Sequence, residues 1–319
     1  MDPALAVIWR RLLMTLTRRI ALALVVLSCV SLTQAQSKIE TLNLTFTTID
    51  VPGAGVTNVS GINTNGDMVG WYSQADNTPA SGFLLSGGNF TFLNYPSAYE
   101  TVARSINDSG VIAGYAGILH DAAYVGFTYT EGTFTKVRVG NSGYNYAEGI
   151  DNLGDIVGGY GNIGSNNGFE EAGTKFRNVT PPGNWNAVLA TGVNNLGQIV
   201  GATTAASTSG FFYTKGKFQT IAVPGSNGTT SPMGINDAGI VIGSYFGCST
   251  SCGYHGFALL KGKYLSFDYP GSVTTFALGI NSLGQIVGCY SLSDGITHGY
   301  VTSPISSSQF ASPARSGEQ

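Results

Sequence analysis

The sequence predicts an all-β fold: a six-bladed β-propeller of four-stranded blades, closed by the N-terminal strand, over residues 41–301. Three observations lead to this prediction. A hairpin motif recurs along the chain, four short strands fit into each period, and the strand missing from the last unit is found near the N-terminus. Repeats of this length are typical of propellers and of other arrays built from one supersecondary unit.

The recurring hairpin motif is Gly-Ile-Asn-x-x-Gly-x-Ile-Val-Gly-x-Tyr, and its last copy begins at Gly279. An Asn or Asp side chain at the first position of a tight turn bonds to the backbone, and glycine suits the fourth position. The next strand carries two adjacent apolar residues, such as Ile286 and Val287, which point to opposite faces. Both faces are therefore expected to be buried. The turn residues lie 42 to 45 residues apart: Asn63, Asn107, Asp151, Asn194, Asn236 and Asn281.

Two further strands complete each unit. The third opens with Gly-Phe or Gly-Tyr, as at Gly82-Phe83, and the fourth often ends in Pro-Gly, as at Pro224-Gly225. The last unit stops at Val301 without a fourth strand, whereas residues 45–53 match a fourth strand that has no unit of its own. The N-terminal strand is therefore expected to pair with the last unit, which closes the ring and removes free sheet edges.

Residues 1–35 differ in character and predict a cleaved secretory signal peptide. Four arginines between residues 10 and 19 precede the apolar run Ile20–Val30, and small residues then allow cleavage before Gln36. The run is short for a membrane span, so no stable span is expected after cleavage. The mature protein is predicted to be secreted; the alternatives are a periplasmic location or a lipid anchor through Cys29.

Composition limits the class of partner. Only 10% of the residues are charged and the formal net charge is −3, so the chain has no basic patch and nucleic acid is not an expected partner. Residues 302–319 are rich in Ser, Pro and Ala without a period, which predicts a disordered tail. The protein is predicted to be a monomer.

The mature chain keeps three cysteines, and Cys248 and Cys252 are predicted to form a local disulfide. Closely spaced cysteines of exported proteins commonly pair, because the compartment is oxidising. Cys289 would then be a buried strand residue. The alternative is a zinc site formed by these three cysteines and His255. Because export favours oxidation, we predict no metal and no cofactor.

Over residues 45–301 the units resemble the extracellular repeats of the HAF type, which are found in exported bacterial proteins. The resemblance rests on the hairpin motif, on His/Ser/Asn-Gly-Phe, and on Phe-Thr-Thr-Ile-Asp-Val-Pro-Gly at residues 46–53. The His-Ala-Phe tripeptide that names the family is absent, and His255-Gly256-Phe257 and His298-Gly299-Tyr300 are nearest to it. The resemblance implies an exported β-propeller-like protein and supplies no catalytic residues.

No familiar catalytic motif is present: the sequence lacks a Gly-x-Ser-x-Gly elbow, a phosphate-binding loop and a His-Glu-x-x-His helix. His255 and His298 occupy a repeat position where three other units have Ser81, Asn167 and Ser209, and Asp50 and Asp268 are expected to be solvated at strand ends. The protein is therefore predicted not to be an enzyme. The alternative is an exported carbohydrate-active hydrolase or lyase with a site at the central channel.

The candidate binding residues are Arg104, Glu148, Tyr144, Tyr146 and Trp185. Arg104 and Glu148 precede the Gly-Ile or Ser-Ile pair of neighbouring hairpins, where they would line the channel as an ion pair or as a binding determinant. The three aromatic residues belong to long loops on the face opposite the tight turns, where they would stack on a ligand or only pack the loops. The predicted function is binding of an extracellular carbohydrate or protein.

Overall fold

The described part of the chain is all-β, as predicted. The computed structural model describes residues 39–74, 78–118, 123–139, 142, 144–162, 165–248 and 252–310. The predicted signal peptide, with Cys29 and the cleavage point before Gln36, lies outside the described residues, as does the segment 311–319. Within the described ranges, no helix is long and apolar enough to cross a membrane.

The strands follow the copies of the hairpin motif. Two short N-terminal strands are β1 (Glu40–Thr41) and β2 (Phe46–Ile49). The first three groups are β3 (Val56–Ile62), β4 (Met68–Ser73), β5 (Ser81–Ser86), β6 (Asn89–Leu93); β7 (Glu100–Ile106), β8 (Ile112–Ile118), β9 (Ala123–Thr130), β10 (Thr133–Lys136); and β11 (Asn145–Ile150), β12 (Ile156–Asn162), β13 (Ser165–Ala172), β14 (Lys175–Asn178). The remaining groups are β15 (Ala187–Val193), β16 (Ile199–Thr204), β17 (Thr208–Thr214), β18 (Lys217–Ile221); β19 (Thr230–Ile235), β20 (Val241–Cys248), β21 (Cys252–Leu260), β22 (Lys263–Phe267); and β23 (Thr274–Ile280), β24 (Ile286–Ser291), β25 (Thr297–Thr302).

Hydrogen bonding joins these strands into five sheets, fewer than the six separate blades that the repeat predicts. The second, third and fourth groups are four-stranded antiparallel sheets. The fifth group gains β1, which runs parallel to its outer strand β22. The first and last groups share one eight-stranded sheet, because a bridge between Thr297 and Val56 joins β25 to β3. In the same sheet β2 pairs with β25 in antiparallel fashion, with Thr47 opposite Val301.

Each hairpin turn is built by the side chain of its Asn or Asp, which confirms the predicted turn chemistry. Asn63 Oδ1 accepts hydrogen bonds from the N–H groups of Asn65 at 3.1 Å and Asp67 at 2.9 Å. The backbone of Gly66 has φ +84°, a conformation that residues with a Cβ rarely adopt. The asparagine side chain therefore supplies the acceptor for two N–H groups of the turn, and the glycine allows the chain to reverse direction.

The asparagine side chains also link their hairpins to the next one; Asp151 of the third hairpin makes no such link. Asn63 Nδ2 donates to the backbone oxygen of Asn107, one repeat along the chain, and Asn281 Nδ2 of the last hairpin donates to Asn63 O of the first. Each link is buried, so breaking one leaves a polar group without a partner. The Nδ2···O distances are 3.2 Å for Asn63–Asn107, 3.0 Å for Asn107–Asp151, 2.9 Å for Asn194–Asn236, 3.2 Å for Asn236–Asn281 and 2.9 Å for Asn281–Asn63.

The core explains two constant features of the repeat. Ile286 and Val287 are both fully buried, as expected for a strand covered on both faces. The aromatic residue of each third strand is also buried, and the glycine after Ile-Val lies against its ring. A Cβ on Gly158 would lie 1.8 Å from the Tyr146 carbonyl oxygen and 2.9 Å from the Phe169 ring. Glycine at this position therefore lets the first-strand backbone and the third-strand ring both approach the second strand closely.

The predicted disordered tail differs from the structure over residues 302–310. Ser303 N–H donates to Thr45 O at 2.8 Å, and Ile305 N–H donates to Gly284 O at 2.8 Å. A 3-10 helix follows (Ser307–Phe310), and both Ile305 and Phe310 are buried in the cluster that contains Leu42. Composition alone missed two apolar anchors among the small and polar residues of this segment.

Candidate functional site

The innermost strands enclose a small cavity of about 80 Å³. Its volume suits a few water molecules and is well below the ~300 Å³ of the smallest usual ligand pockets. The strands around it lie close together: a Cβ on Gly192 would be 3.0 Å from the Gly234 Cα. Arg104 and Glu148, which were predicted to line a central channel, both contribute to its wall. So do the residues at the same position of the other four repeats: Ser60, Thr191, Met233 and Leu278.

Arg104 and Glu148 form an ion pair in this wall. Arg104 Nε donates to Glu148 Oε2 at 2.5 Å, and the two side chains are 16% and 5% exposed. Burial by itself lowers the pKa of Arg104, but the neighbouring Glu148 charge raises it, and the net result lies above the ordinary value. Arg104 therefore remains charged, and its ion pair with Glu148 is a fixed polar element of the cavity.

An apolar collar separates this cavity from the hairpin turns. Beyond the collar, the turn residues surround a second cavity of about 60 Å³. The collar consists of the residues that line both cavities: Ile62, Ile106, Ile150, Val193, Ile235 and Ile280. The ion pair therefore lies on the side of the collar away from the hairpin turns.

Five tyrosines form a cluster at the loop end of the second and third strand groups. We call Tyr99, Tyr115, Tyr124, Tyr144 and Tyr146 the tyrosine cluster. The Tyr146 ring lies 4.9 Å from the Tyr115 ring and 5.1 Å from the Tyr124 ring, between centroids. Tyr144 and Tyr146 share a hydroxyl–hydroxyl hydrogen bond, and the hydroxyls of Tyr99 and Tyr124 lie 3.2 Å apart. Tyr144 is buried, Tyr99 is exposed, and the other three are half-buried.

The tyrosine cluster is electrostatically coupled to the ion pair. Burial raises the pKa of Tyr115 most, the charge of Glu148 raises it further, and the charge of Arg104 opposes the shift. Burial, followed by the hydrogen bond with Tyr144, raises the pKa of Tyr146. These hydroxyls therefore stay neutral and can both donate and accept hydrogen bonds.

Four of the predicted binding residues thus belong to one connected region, namely Arg104, Glu148, Tyr144 and Tyr146. Tyr115 connects them, and the sequence reasoning missed it. In the sequence, Tyr115 occupies a position of the hairpin motif that varies between units, between the constant Gly and the usual Tyr. That position holds Trp71, Tyr115, Gly159, Ala202, Ser244 and Cys289.

Trp185 lies in a different place. Its Nε1 donates to the Pro181 carbonyl oxygen at 3.1 Å, and the half-buried ring packs against the apolar cluster of the fourth group. The ring lines a cleft of about 220 Å³ that also contains Thr203, Ser209 and Gln219. The single aromatic surface expected from the sequence is therefore divided between the tyrosine cluster and this cleft.

The structure contains the predicted local disulfide, and the third cysteine is a free thiol. Cys248 and Cys252 form a disulfide, with their Cα atoms 4.1 Å apart. Cys289 is a free, buried thiol whose Sγ accepts a hydrogen bond from Asn58 Nδ2 at 3.3 Å. No group of three potential metal ligands occurs in the described part of the chain.

Two histidine–aspartate pairs occupy equivalent positions in the last two strand groups. His255 Nδ1 lies 2.9 Å from an Asp268 oxygen, and His298 Nδ1 lies 2.9 Å from Asp50 Oδ2. The aspartates were expected to be solvated strand-end residues; they are partly exposed, and each also has a histidine partner. Their histidines lie on the third strands β21 and β25, whereas the channel residues lie on the first strand of each group.

Among solved structures, the chain is similar to several propeller-like proteins. No protein family and no curated protein matches the sequence. A virginiamycin B lyase from Staphylococcus aureus is 14% identical, with a TM-score of 0.45 over 83% of this chain and 90% of the lyase. A gluconolactonase from Xanthomonas campestris is 10% identical, with a TM-score of 0.48 over 85% and 94%. The β-propeller domain of the trilobed protease from Pyrococcus furiosus is 8% identical, with a TM-score of 0.46 over 83% and 99%.

These similarities correct the prediction that the protein is not an enzyme. Two of the three structures are enzymes, and the fold by itself neither shows nor excludes an activity. At 8–14% identity the likeness concerns the fold alone and assigns no activity to this chain.

Proposed function

We propose that the protein is an exported ligand-binding β-propeller with six blades, closed by its N-terminal strand, as the resemblance to HAF-type repeats implies. The series of asparagine links supports the ring, because it returns from Asn281 to Asn63. The pairing of β2 with β25 supports the closure. We further propose that the mature protein is a monomer that starts near Gln36. Mass spectrometry of the native protein tests this start, and a lipidated Cys29 would refute it.

The proposed ligand is an extracellular carbohydrate, and the proposed site is the tyrosine cluster above the ion pair. The observation that carries this proposal is the juxtaposition of aromatic rings, neutral hydroxyls and a buried charged pair in one region. Rings bind the apolar faces of sugars, while hydroxyls and charged groups bind sugar hydroxyls. The exposed ring of Tyr99 and the half-buried ring of Tyr146 supply the accessible surface.

The geometry restricts how such a ligand would bind. The inner cavity is too small for a sugar ring, and the apolar collar separates it from the turns. The carbohydrate would therefore lie across the mouth of the cavity, with Arg104 and Glu148 below it. In this arrangement the rings provide the contact area, and the ion pair selects the orientation of the polar groups.

A glycan and peptide array with the purified protein tests the proposal, followed by calorimetric titration of the best glycan. We expect Tyr146→Ala to weaken binding by about 10- to 100-fold, the scale of losing a central aromatic contact. Tyr146→Phe keeps the ring and separates stacking from hydrogen bonding. Trp185→Ala is the matched control in the separate cleft. If Trp185→Ala abolishes binding while Tyr146→Ala does not, the ligand lies in that cleft, and selective capture of peptides would identify a protein partner instead.

A second candidate function is cleavage of an extracellular carbohydrate at the channel, by a hydrolase or a lyase reaction. The specific observation is Glu148, a carboxylate that is 5% exposed at the base of the proposed site. Buried carboxyl groups next to a substrate commonly act as acid or base. Turnover of a bound glycan that disappears in Glu148→Gln, with binding retained, would favour this function.

A further inference from the structure

One hairpin breaks the series of links between neighbouring turns. In the other hairpins an asparagine Nδ2 donates to the backbone oxygen of the next turn residue. The third hairpin has Asp151 at this position, and a carboxylate has no hydrogen to donate. Its Oδ1 accepts from the N–H groups of Leu153 and Asp155, both at 2.9 Å. Its Oδ2 takes the place of the missing Nδ2, is buried, and has no hydrogen-bond partner among the residues that the structure describes.

The next acceptor in the series is the carbonyl oxygen of Asn194. An ionised Asp151 would therefore direct a negative oxygen toward another acceptor in a site that is only 5% exposed. Burying an unpaired carboxylate costs far more than burying a neutral carboxyl group that donates a hydrogen bond. A proton on Oδ2 resolves both problems, since it removes the charge and supplies the absent donor.

We propose that Asp151 binds a proton in the folded protein and that its Oδ2–H donates to the Asn194 carbonyl oxygen. The protonated carboxyl group then acts as the asparagine side chain does in the other hairpins. The proposal is independent of the proposed ligand, because the collar separates the turns from the channel.

The charged surroundings agree with this assignment. Burial raises the pKa of Asp151, and the charge of Asp155 on the same hairpin also raises it; backbone N–H groups oppose the shift without reversing it. On the preceding hairpin, Asp108 is the charged neighbour, and it accepts from Asn152 Nδ2 at 2.7 Å. The following hairpin, residues 194–198, contains no charged residue. On the channel side, Arg104 and Glu148 neutralise each other.

The sign of the pH effect follows from the raised pKa in the folded state. The stabilisation is fully present below the unfolded pKa of about 3.9 and is lost as pH rises toward the folded pKa. Asp151→Asn keeps a donor at every pH. We expect the ratio of unfolding constants, wild type over Asp151→Asn, to rise up to tenfold per pH unit across this interval and then to level off. Urea unfolding of the purified protein at a series of pH values measures this ratio.

Two further measurements keep the test decisive. Asn107→Asp places a carboxyl group at the equivalent position of the preceding hairpin and should acquire the same pH dependence. Carbon-13 NMR of the Asp151 carboxyl group in the wild-type protein should show titration above the usual aspartate range, whether or not the variants fold. Titration in the usual range, or a ratio that does not change with pH, overturns the proposal. Saturable stabilisation of wild type, but not of Asp151→Asn, by sodium or calcium would show a bound cation instead.

Discussion

Removing one partner of the Arg104–Glu148 ion pair should destabilise the protein more than any comparable change at an exposed pair. In Arg104→Met the carboxylate of Glu148 would stay behind with its side chain 5% exposed and its closest donor gone. Breaking a fully buried pair in this way costs about 3–5 kcal/mol. Since Arg104 is itself 16% exposed, we expect a loss near the lower end, about 3 kcal/mol.

The two remaining variants complete a double-mutant cycle. Glu148→Leu should cost less than Arg104→Met, because the uncompensated charge is then the more exposed guanidinium. In the combined change Arg104→Met with Glu148→Leu, neither charge is left unpaired. We expect its stability to lie within about 1 kcal/mol of wild type, as for other buried pairs replaced by apolar residues.

Urea unfolding followed by tyrosine and tryptophan fluorescence measures these differences. The matched control is the pair between Lys263 and Glu40, which has a 2.9 Å contact but side chains that are 23% and 61% exposed. Glu40→Gln should cost less than about 1 kcal/mol. A cost for Arg104→Met as small as that of the control would refute the reasoning, and so would losses that simply add in the double variant.

Two other predictions concern the N-terminal strands and the cysteines. Deleting residues 39–49 removes the partners of the outer strands β22 and β25, so we expect aggregation and a lower melting temperature; an equally soluble and stable deletion variant would count against closure by these strands. Burial raises the pKa of the Cys289 thiol to about 12, so the native protein should not react with a thiol reagent at neutral pH, whereas denatured mature protein should give one thiol. Three thiols after denaturation would show that the Cys248–Cys252 bond is absent.

The local structure could be predicted because each motif residue has a local physical reason. Asn63 and Gly66 specify a turn through one side-chain acceptor and one unusual φ angle, and both effects depend only on nearby residues. The buried strand around Ile286 and Val287 followed from adjacent apolar residues. The bridge between Thr297 and Val56, by contrast, joins positions more than two hundred residues apart, and no local pattern specifies it.

The site was harder to predict because it depends on which positions of the repeat lie next to each other in the folded chain. Arg104 and Glu148 were recognised because the residue at their repeat position varies and that position belongs to the innermost strand. Tyr115 was missed because its role appears only when the second and third groups pack together and bring Tyr146 to 4.9 Å from it. Trp185 was assigned to the same surface because it belongs to a long loop. Its indole N–H, however, donates to the Pro181 carbonyl oxygen, and the ring lies in the separate cleft.

The pairing of β2 with β25 has a consequence for the order in which the protein folds. β2 leaves the ribosome among the first strands of the described chain, yet its partner is the last strand to be made. Contacts so distant in sequence form slowly, because a long loop must close before they are gained. During that delay the edges of β22 and β25 stay uncovered, and such edges pair readily with other chains. The slow, concentration-sensitive step of refolding is therefore expected to be the return of the first strand to the last.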